Sequence, residues 1–354
     1  MSRFLSDRFQ ELEAYVPGEQ PVGMEYIKLN TNESPYPPPP GVIAAISDDE
    51  IEKLRLYPNP DGVRLIEKLA EFYGVLPENV IIGNGSDELL AFAFLAYCDG
   101  GRGVCFPDIT YGFYPVYAQL YGIPYLQIPL RDDFAVEPAD YFDVKKNIVL
   151  ANPNAPTGIA LTLNDIEAIA RSNPDYVVLI DEAYVDFGAD SAIPLTQKYE
   201  NLLVMHTYSK ARSMAGARLA YAIGAATLIE DLKKMKYSFN PYNVNRLTQV
   251  AGEAALRENE YYENMCRDII STRGFTEKRL RELGFIMTVS SANFVFVRHP
   301  EAGGHHLYAA LKERGFLVRH FSKARISEHL RITIGTKAQM EALIDAIKAV
   351  LVDS

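Results

Sequence analysis

The chain has 354 residues, more than one ordinary domain holds, so we expect two domains or one large and one small unit. Its apolar content of 48% and charged content of 23% are typical of a globular enzyme or binding protein. The net charge of −11 argues against a nucleic-acid-binding protein, and no apolar run is long enough to span a bilayer.

Residues 1–40 are predicted to form an extended N-terminal arm. Prolines at positions 35 and 37–40 are incompatible with a helix interior and favour a polyproline-like path. The first predicted helix covers 63–73, where apolar residues follow helical spacing until Gly74 ends the pattern.

Between residues 79 and 223, short apolar runs alternate with helical patterns. The runs lie at 79–82, 103–106, 148–151, 176–180, 202–205 and 219–223, and the helical patterns at 88–97, 111–121 and 165–171. Such alternation is typical of β–α–β units. We therefore predict an α/β fold whose large domain, residues 41–245, has a mostly parallel sheet flanked by helices.

The pattern changes beyond residue 245. A long charged helix is predicted over 246–283. It is followed by strands at 293–297 and 330–334 and by helices at 305–314 and 337–351. These elements predict a smaller α+β domain at the C-terminal end, residues 246–354.

Lys210 and the groups that precede and follow it are the most informative residues. Asp181 directly follows the apolar run 176–180, and acids at the carboxyl ends of parallel strands lie where α/β sheets bind ligands. A lysine amine can react with an aldehyde, and an acid can hold a ring nitrogen protonated. Ser209 and Arg218 can bind a phosphate. Each residue type matches one requirement of pyridoxal phosphate, whereas Lys210 alone would be read as an ordinary surface charge.

The segment 83–88, Gly-Asn-Gly-Ser-Asp-Glu, follows a predicted strand and opens a helix. A dinucleotide site would need a third glycine, and a P-loop would need Lys followed by Ser or Thr; the segment has neither. Ser86 or Asp87 could simply cap the helix, and that interpretation is favoured when the segment is taken alone. Together with Ser209 and Arg218, a cofactor phosphate at the helix N-terminus explains the segment better.

Several other candidates stay open when each is taken alone. Tyr111 could stack on a flat ring or pack in the core, and Tyr184 could donate to a ring oxygen or be structural. Arg331 lies in a predicted strand, where it meets an anion if it faces inward and is solvated if it faces outward. His305 and His306 lack partners at metal-ligand spacing, so no metal site is predicted.

Taken together, these segments resemble the fold type I pyridoxal-phosphate-dependent aminotransferases, and within that family the histidinol-phosphate aminotransferases. The matching motifs are LNTNESP at 29–35, YP at 57–58, GSDE at 85–88, DEAY at 181–184, YSKA at 208–211 and LRIT at 330–333. The resemblance covers nearly the whole chain. It implies transamination of histidinol phosphate or imidazole-acetol phosphate with 2-oxoglutarate or glutamate in histidine biosynthesis. An aromatic amino-acid aminotransferase or a threonine-phosphate decarboxylase on the same scaffold is the alternative.

The resemblance also implies a role for each matching residue. Lys210 looks like the Schiff-base lysine, Asp181 would pair with the pyridinium nitrogen, and Tyr184 would meet the ring oxygen. The other residues implied at the cofactor are Tyr111 on the ring, Gly85, Ser86, Asp87, Thr207, Ser209 and Arg218 at the phosphate, and Tyr57 from the partner subunit of a homodimer. Those implied at the substrate are Arg331, Arg319, Asn32 and Tyr15.

One position departs from the family pattern. The family usually has asparagine directly before Pro-Thr-Gly, where its amide contacts the cofactor's ring oxygen, but this chain has Ala155. Either Tyr184 and a water serve that oxygen, or Asn154 moves to help.

We expect a cytoplasmic protein. The three cysteines have no metal spacing, and their odd number favours a reducing compartment over a disulfide framework. The first ten residues carry charges and lack the apolar core of a signal peptide.

Overall fold

The structure is a computed structural model that describes residues 2–20 and 25–352. Its helices are α1 Pro40–Ala45, α2 Asp48–Glu52, α3 Val63–Tyr73, α4 Ser86–Tyr97, α5 Phe113–Tyr121, α6 Leu163–Ser172, α7 Ala226–Phe239, α8 Arg246–Arg257, α9 Asn259–Glu282, α10 Gly304–Glu313 and α11 Lys337–Val352. Its strands are β1 Ile27–Lys28, β2 Val80–Gly83, β3 Val104–Pro107, β4 Tyr125–Ile128, β5 Asn147–Ala151, β6 Val178–Asp181, β7 Leu202–Thr207, β8 Ala220–Gly224, β9 Ile286–Met287, β10 Phe294–Arg298, β11 Phe316–Leu317, β12 Arg319–His320 and β13 Leu330–Thr333. Among the described helices, none is long and apolar enough to cross a membrane.

The larger sheet has the strand order β2-β8-β7-β6-β5-β3-β4. The neighbours from β7 to β4 are parallel, whereas β8 is antiparallel to both β7 and β2. Along β5, Ile148 and Leu150 pack into one apolar core, and Val149 and Ala151 pack into a second core. Successive side chains point to opposite faces of a strand, so both faces of this sheet are covered and its central strands are apolar throughout. The predicted α/β fold with a mostly parallel sheet is confirmed.

The edge strand β4 was not predicted. Three of its four residues are exposed, so it carries no buried apolar run that the sequence pattern could indicate. The strand is identified only by its parallel pairing with β3.

The smaller sheet is antiparallel, with the order β12-β13-β10-β9. Helix α11 packs on α9 and α10 beside it. The prediction of one helix over 246–283 is wrong, because the chain bends at Glu258. The bend lets α8 pack on α1 and α3 of the larger unit while α9 contacts β10 and α11.

The segment before α1 runs along the smaller sheet. β1 pairs in parallel with β11 in a separate two-stranded sheet, and the Leu29 N–H donates to the Leu317 carbonyl oxygen at 2.8 Å. The Thr333 N–H donates to the Leu29 carbonyl oxygen at 2.9 Å, which places residues 29–32 beside β13. The division into an arm (1–40), a large domain (41–245) and a small domain (246–354) stays a prediction, and residues 1, 21–24 and 353–354 of those ranges lie outside the described residues.

Candidate active site

Functional side chains gather at the carboxyl ends of the parallel strands of the larger sheet. β6 ends at Asp181, β7 ends at Thr207, and α4 begins at Ser86. A cavity of about 150 Å³ lies at these ends, and we call it the cofactor cavity. It is lined by the predicted residues Ser86, Asp87, Tyr111, Asp181, Tyr184, Thr207, Ser209, Lys210 and Arg218, together with Ala151, Ala155 and Ala183.

Asp181 is a buried carboxylate with one unused oxygen. Its Oδ2 accepts a hydrogen bond from the Tyr114 hydroxyl at 3.0 Å, while its Oδ1 has no partner. Burial raises the pKa of Asp181 to about 6, because removal from water disfavours the charged form, and the Tyr114 hydroxyl opposes this rise. A cation placed at Oδ1 would restore the ionised form.

The sequence interpretation missed Tyr114. It lies on α5, three residues after Tyr111, which precedes the helix. On the predicted helix 111–121 this spacing could have indicated that both tyrosines face the same site.

A cradle for an anion lies where α4 begins. The Arg218 Nη2 is 3.0 Å from the Asp87 Oδ2, and the Arg218 Nη1 donates to the Ser209 hydroxyl at 3.5 Å. Gly85 has a φ of 81°, and a Cβ at this position would collide with the Arg218 guanidinium. The Arg218 and Asp87 side chains are 44% and 35% exposed, so this ion pair contributes little and leaves the guanidinium available to an anion.

Tyr111 and Asp87 hold each other in place. The Tyr111 hydroxyl donates to the Asp87 Oδ1 at 2.8 Å, and burial raises the pKa of that hydroxyl well above its usual range. With Tyr111 and Arg218 on its carboxylate, Asp87 can offer an anion only its backbone N–H. That N–H is at the positive end of the α4 dipole, where an anion is favoured.

Lys210 lies where the cofactor cavity meets a second cavity. Its Nζ donates to the Thr31 carbonyl oxygen at 3.0 Å and lies 5.7 Å from the centre of the Tyr184 ring. Both cavities share Lys210, Tyr184, Tyr111 and Ala155 in their lining.

The second cavity, which we call the substrate cavity, measures about 620 Å³. The structure brings all four predicted substrate residues into its lining: Tyr15, Asn32, Arg319 and Arg331. Tyr15 stacks on Phe113 with ring centres 4.3 Å apart, and burial raises the pKa of its hydroxyl while Arg319 and Arg331 oppose the rise.

Arg331 faces the substrate cavity. Strand alternation had left open whether its side chain points inward or to solvent. Its Nη2 donates to the Asn30 carbonyl oxygen at 2.8 Å, and its Nε is buried without a partner. Burial lowers the pKa of this guanidinium, because protein replaces water around the charge. An arginine in this state is expected to bind an anion.

Arg319 is held less tightly than Arg331. Its guanidinium donates to the carbonyl oxygens of Pro17 and Val16 at 3.4 and 3.3 Å. These are long bonds to neutral acceptors, so an anion in the cavity can compete with them.

Tyr57 is the one predicted residue that this chain leaves outside the site. Its side chain is 78% exposed and stacks on Tyr242 with ring centres 4.5 Å apart. It lines neither the cofactor cavity nor the substrate cavity.

Asn154 is not free to replace the amide that Ala155 lacks. Its Oδ1 accepts from the Thr110 hydroxyl at 2.8 Å, and its Nδ2 donates to the Ile109 carbonyl oxygen at 3.0 Å and to the Thr157 hydroxyl at 3.1 Å. Of the two alternatives, the movement of Asn154 is therefore disfavoured. Tyr184 instead has a partner that the sequence did not indicate, because its hydroxyl accepts from the Asn32 Nδ2 at 2.9 Å.

The site fits pyridoxal phosphate. The unpartnered Asp181 Oδ1 suits a cationic ring nitrogen, and the space that a Cβ at Gly85 would fill lies beside Arg218, where a phosphate needs donors. Within the described ranges, no three histidine, cysteine or acidic side chains are close enough to hold a metal ion.

Comparison with known proteins agrees with this chemistry. Residues 24–347 match the family Aminotransferase class I and II. The histidinol-phosphate aminotransferase of Marinomonas sp. is 52% identical over 351 residues, covering 98% of this chain and 99% of that relative. The histidinol-phosphate aminotransferase of Brachyspira hyodysenteriae is 47% identical over 352 residues, covering 99% of each chain.

Solved structures share the fold at lower identity. The histidinol-phosphate aminotransferase of Sinorhizobium meliloti, in complex with pyridoxal-5'-phosphate, superposes with a TM-score of 0.88 at 23% identity, covering 99% of this chain and 100% of that one. A mutant aspartate aminotransferase of Thermus thermophilus gives 0.84 at 22% identity, with the same coverage. The family match and the two relatives aligned over nearly their whole length show that this chain belongs to the class I and II aminotransferases.

Proposed function

We propose that this chain interconverts histidinol phosphate and imidazole-acetol phosphate by transamination, with 2-oxoglutarate and glutamate as the second pair, in histidine biosynthesis. Pyridoxal 5'-phosphate is the cofactor of this family and of this chain. The observation that carries the proposal is the partly buried Arg331, whose Nε is buried without a partner, in the cavity that adjoins Lys210. The names of relatives that are 47% and 52% identical support the choice of substrate.

Lys210 would carry the cofactor, and its freed amine would move the proton at the substrate carbon as general base and then acid. When bound, the cofactor supplies a cationic ring that takes up negative charge from that carbon. Asp181 would keep the ring nitrogen protonated, since a neighbouring carboxylate favours the charged form. Tyr184 would donate to the ring oxygen, and Tyr111 would stack on the ring. The residues that would hold the phosphate are Gly85, Ser86, Asp87, Thr207, Ser209 and Arg218.

Both substrates are anions, which explains the charge of the substrate cavity. Arg331 binds the phosphate of one substrate and a carboxylate of the other, with Arg319 beside it. Guanidinium groups suit both anions because they donate two parallel hydrogen bonds. An acidic protein needs such a concentrated positive pocket to attract them.

The proposal includes a homodimer with shared active sites. The segment 43–57 carries several exposed apolar side chains: Ile43, Ile46, Ile51, Leu54, Leu56 and Tyr57. Exposed apolar patches of this kind mark protein interfaces. In the dimer, Tyr57 of each subunit reaches the cofactor phosphate of its partner. A Tyr57→Asp variant is expected to sediment as a monomer, and an unchanged dimer would place the interface elsewhere.

The proposal also places the enzyme in the cytoplasm. Cys98, Cys105 and Cys266 are buried and unpaired in the structure, as suits a reducing compartment.

A panel of amino donors with 2-oxoglutarate tests the reaction. Histidinol phosphate is expected to give the highest kcat/KM, with glutamate formed in equal amount. Faster turnover of phenylalanine or tyrosine would favour the aromatic aminotransferase alternative. Release of carbon dioxide from threonine phosphate would favour the decarboxylase.

A further inference from the structure

Asn32 is buried between the smaller sheet and Tyr184, with only 1% of its surface exposed. Its Nδ2 donates to the Tyr184 hydroxyl at 2.9 Å, and its Oδ1 accepts from the Thr333 hydroxyl at 3.0 Å. The Thr333 hydroxyl also accepts from the backbone N–H of Asn32 at 3.0 Å. Both ends of the amide are therefore engaged within the protein, which argues for a role through Tyr184 rather than through the substrate.

Thr333 fixes which way round this amide lies. Its hydroxyl has one hydrogen, and that hydrogen needs an acceptor in a buried site. If the amide were reversed, its NH₂ group would face Thr333, and the hydroxyl hydrogen would be left unpaired, which is costly. The amide oxygen therefore faces Thr333, and the NH₂ group faces Tyr184.

This orientation decides where the Tyr184 hydrogen points. Because the Tyr184 oxygen accepts from Asn32, its own hydrogen remains available for another acceptor. Tyr184 lines the cofactor cavity, and so does Ala155, whose methyl group offers no donor. Donation into the cavity from this side therefore depends on Tyr184.

We propose that Asn32, locked by Thr333, is a positioning residue that makes the Tyr184 hydroxyl donate into the cofactor cavity. The inference rests on the role proposed above for Tyr184. Other titratable groups face Tyr184 and must be kept unchanged in any test; they are Lys210, Arg331, Tyr15 and Tyr114.

The visible absorption of the bound cofactor, titrated with pH, reports this hydrogen bond without any substrate. A donor to the ring oxygen stabilises its anion, so the chromophore loses its proton at a lower pH. Tyr184→Phe is therefore expected to raise the titration midpoint by about one pH unit. Asn32→Asp is expected to raise it at least as far, because a carboxylate only accepts and draws the Tyr184 hydrogen to itself. Aspartate also tolerates the φ of 56° at this position.

The Thr333 variants distinguish positioning from mere packing. Thr333→Val allows the Asn32 amide to adopt either orientation. The titration midpoint of the bound cofactor is therefore expected to rise, but by less than in Tyr184→Phe. Thr333→Ser keeps the hydroxyl and is expected to restore the wild-type midpoint. Thr276→Val removes a similarly buried hydroxyl from α9, where it donates to the Thr272 carbonyl oxygen, and is expected to change nothing.

A wild-type midpoint in both Asn32→Asp and Thr333→Val, with a raised one in Tyr184→Phe, would overturn the inference and leave the role of Tyr184 intact. Thr333→Val decides the matter by itself if Asn32→Asp does not fold. An unchanged midpoint in Tyr184→Phe would instead refute the role proposed for Tyr184 and the inference with it.

Discussion

The two cavities that meet at Lys210 are built in different ways. In the cofactor cavity, near the ends of the larger sheet, charged groups pair with other side chains. An example is the ion pair between Asp87 and Arg218. In the substrate cavity, Arg331 is held by a carbonyl oxygen 301 residues away in the chain, that of Asn30. The cofactor site is therefore assembled from short motifs near the ends of one sheet, whereas the anion site forms where the two ends of the chain pack together.

The largest expected effect lies at the junction of the two cavities. Lys210→Ala is expected to lower kcat by at least about 10⁴-fold, because it removes both the cofactor's attachment and the general base. Lys198→Ala is the matched control, since Lys198 is exposed and pairs with Glu167. Steady-state turnover of Lys210→Ala within tenfold of wild type would contradict the assignment.

Arg331→Ala tests whether the substrate cavity is a separate binding unit. It is expected to raise KM for histidinol phosphate and for 2-oxoglutarate by about 100-fold, since a charge-assisted bidentate contact is lost. The cofactor's dissociation constant should not change. The exposed Arg279, which pairs with Glu282 on α9, provides a control substitution to alanine. Weaker cofactor binding in Arg331→Ala would show that the two cavities do not bind their ligands independently.

Asp181→Asn tests how much the buried Asp181 carboxylate lowers the free energy of unfolding of the cofactor-free protein. The folded pKa of Asp181 is raised to about 6, so burial disfavours the ionised form. Stability from this group is present below pH 4 and is lost as pH rises from about 4 through about 6. At pH 7 the variant is therefore expected to gain about 1–3 kcal/mol in free energy of unfolding over wild type, while losing activity.

Urea unfolding of the cofactor-free protein between pH 5 and pH 7 measures this difference. The gain should grow with pH across that range, and Asp190→Asn, at an exposed position, should show none. A difference that is constant with pH would mean that Asp181 is not the titrating group.

Arg218→Ala should give the smallest of these effects. Arg218 is half-exposed and shares its charge with Asp87, so we expect its loss to weaken cofactor binding by about tenfold. KM for substrates at saturating cofactor should stay within about twofold. Fluorescence titration of the cofactor, with exposed Arg171→Ala as control, provides the measurement. A change in KM larger than the change in cofactor affinity would mean that Arg218 serves substrate binding rather than cofactor binding.

The sequence predicted the parts that depend on local pattern. Apolar runs located the central strands, because strands covered on both faces must be apolar throughout, and Asp181 followed directly from the end of one run. The bend at Glu258 was missed, since neither glycine nor proline marks it and only the packing of α8 and α9 on different units explains it. The contact between Asn32 and Thr333 was missed because the two residues are 301 positions apart in the chain. Tyr114 was missed because its partner Asp181 is 67 positions away, and its spacing from Tyr111 was the one local signal.

Three consecutive residues of one short segment touch three groups assigned to catalysis or binding. The carbonyl oxygen of Asn30 accepts from Arg331, that of Thr31 accepts from Lys210, and the amide of Asn32 donates to Tyr184. Two of these contacts are made by the main chain, which every amino acid possesses. Alanine scanning would leave both carbonyl groups in place and record position 31 as dispensable. Only a backbone ester, which weakens the carbonyl as an acceptor, would reveal how far the reactive amine depends on this stretch of polypeptide.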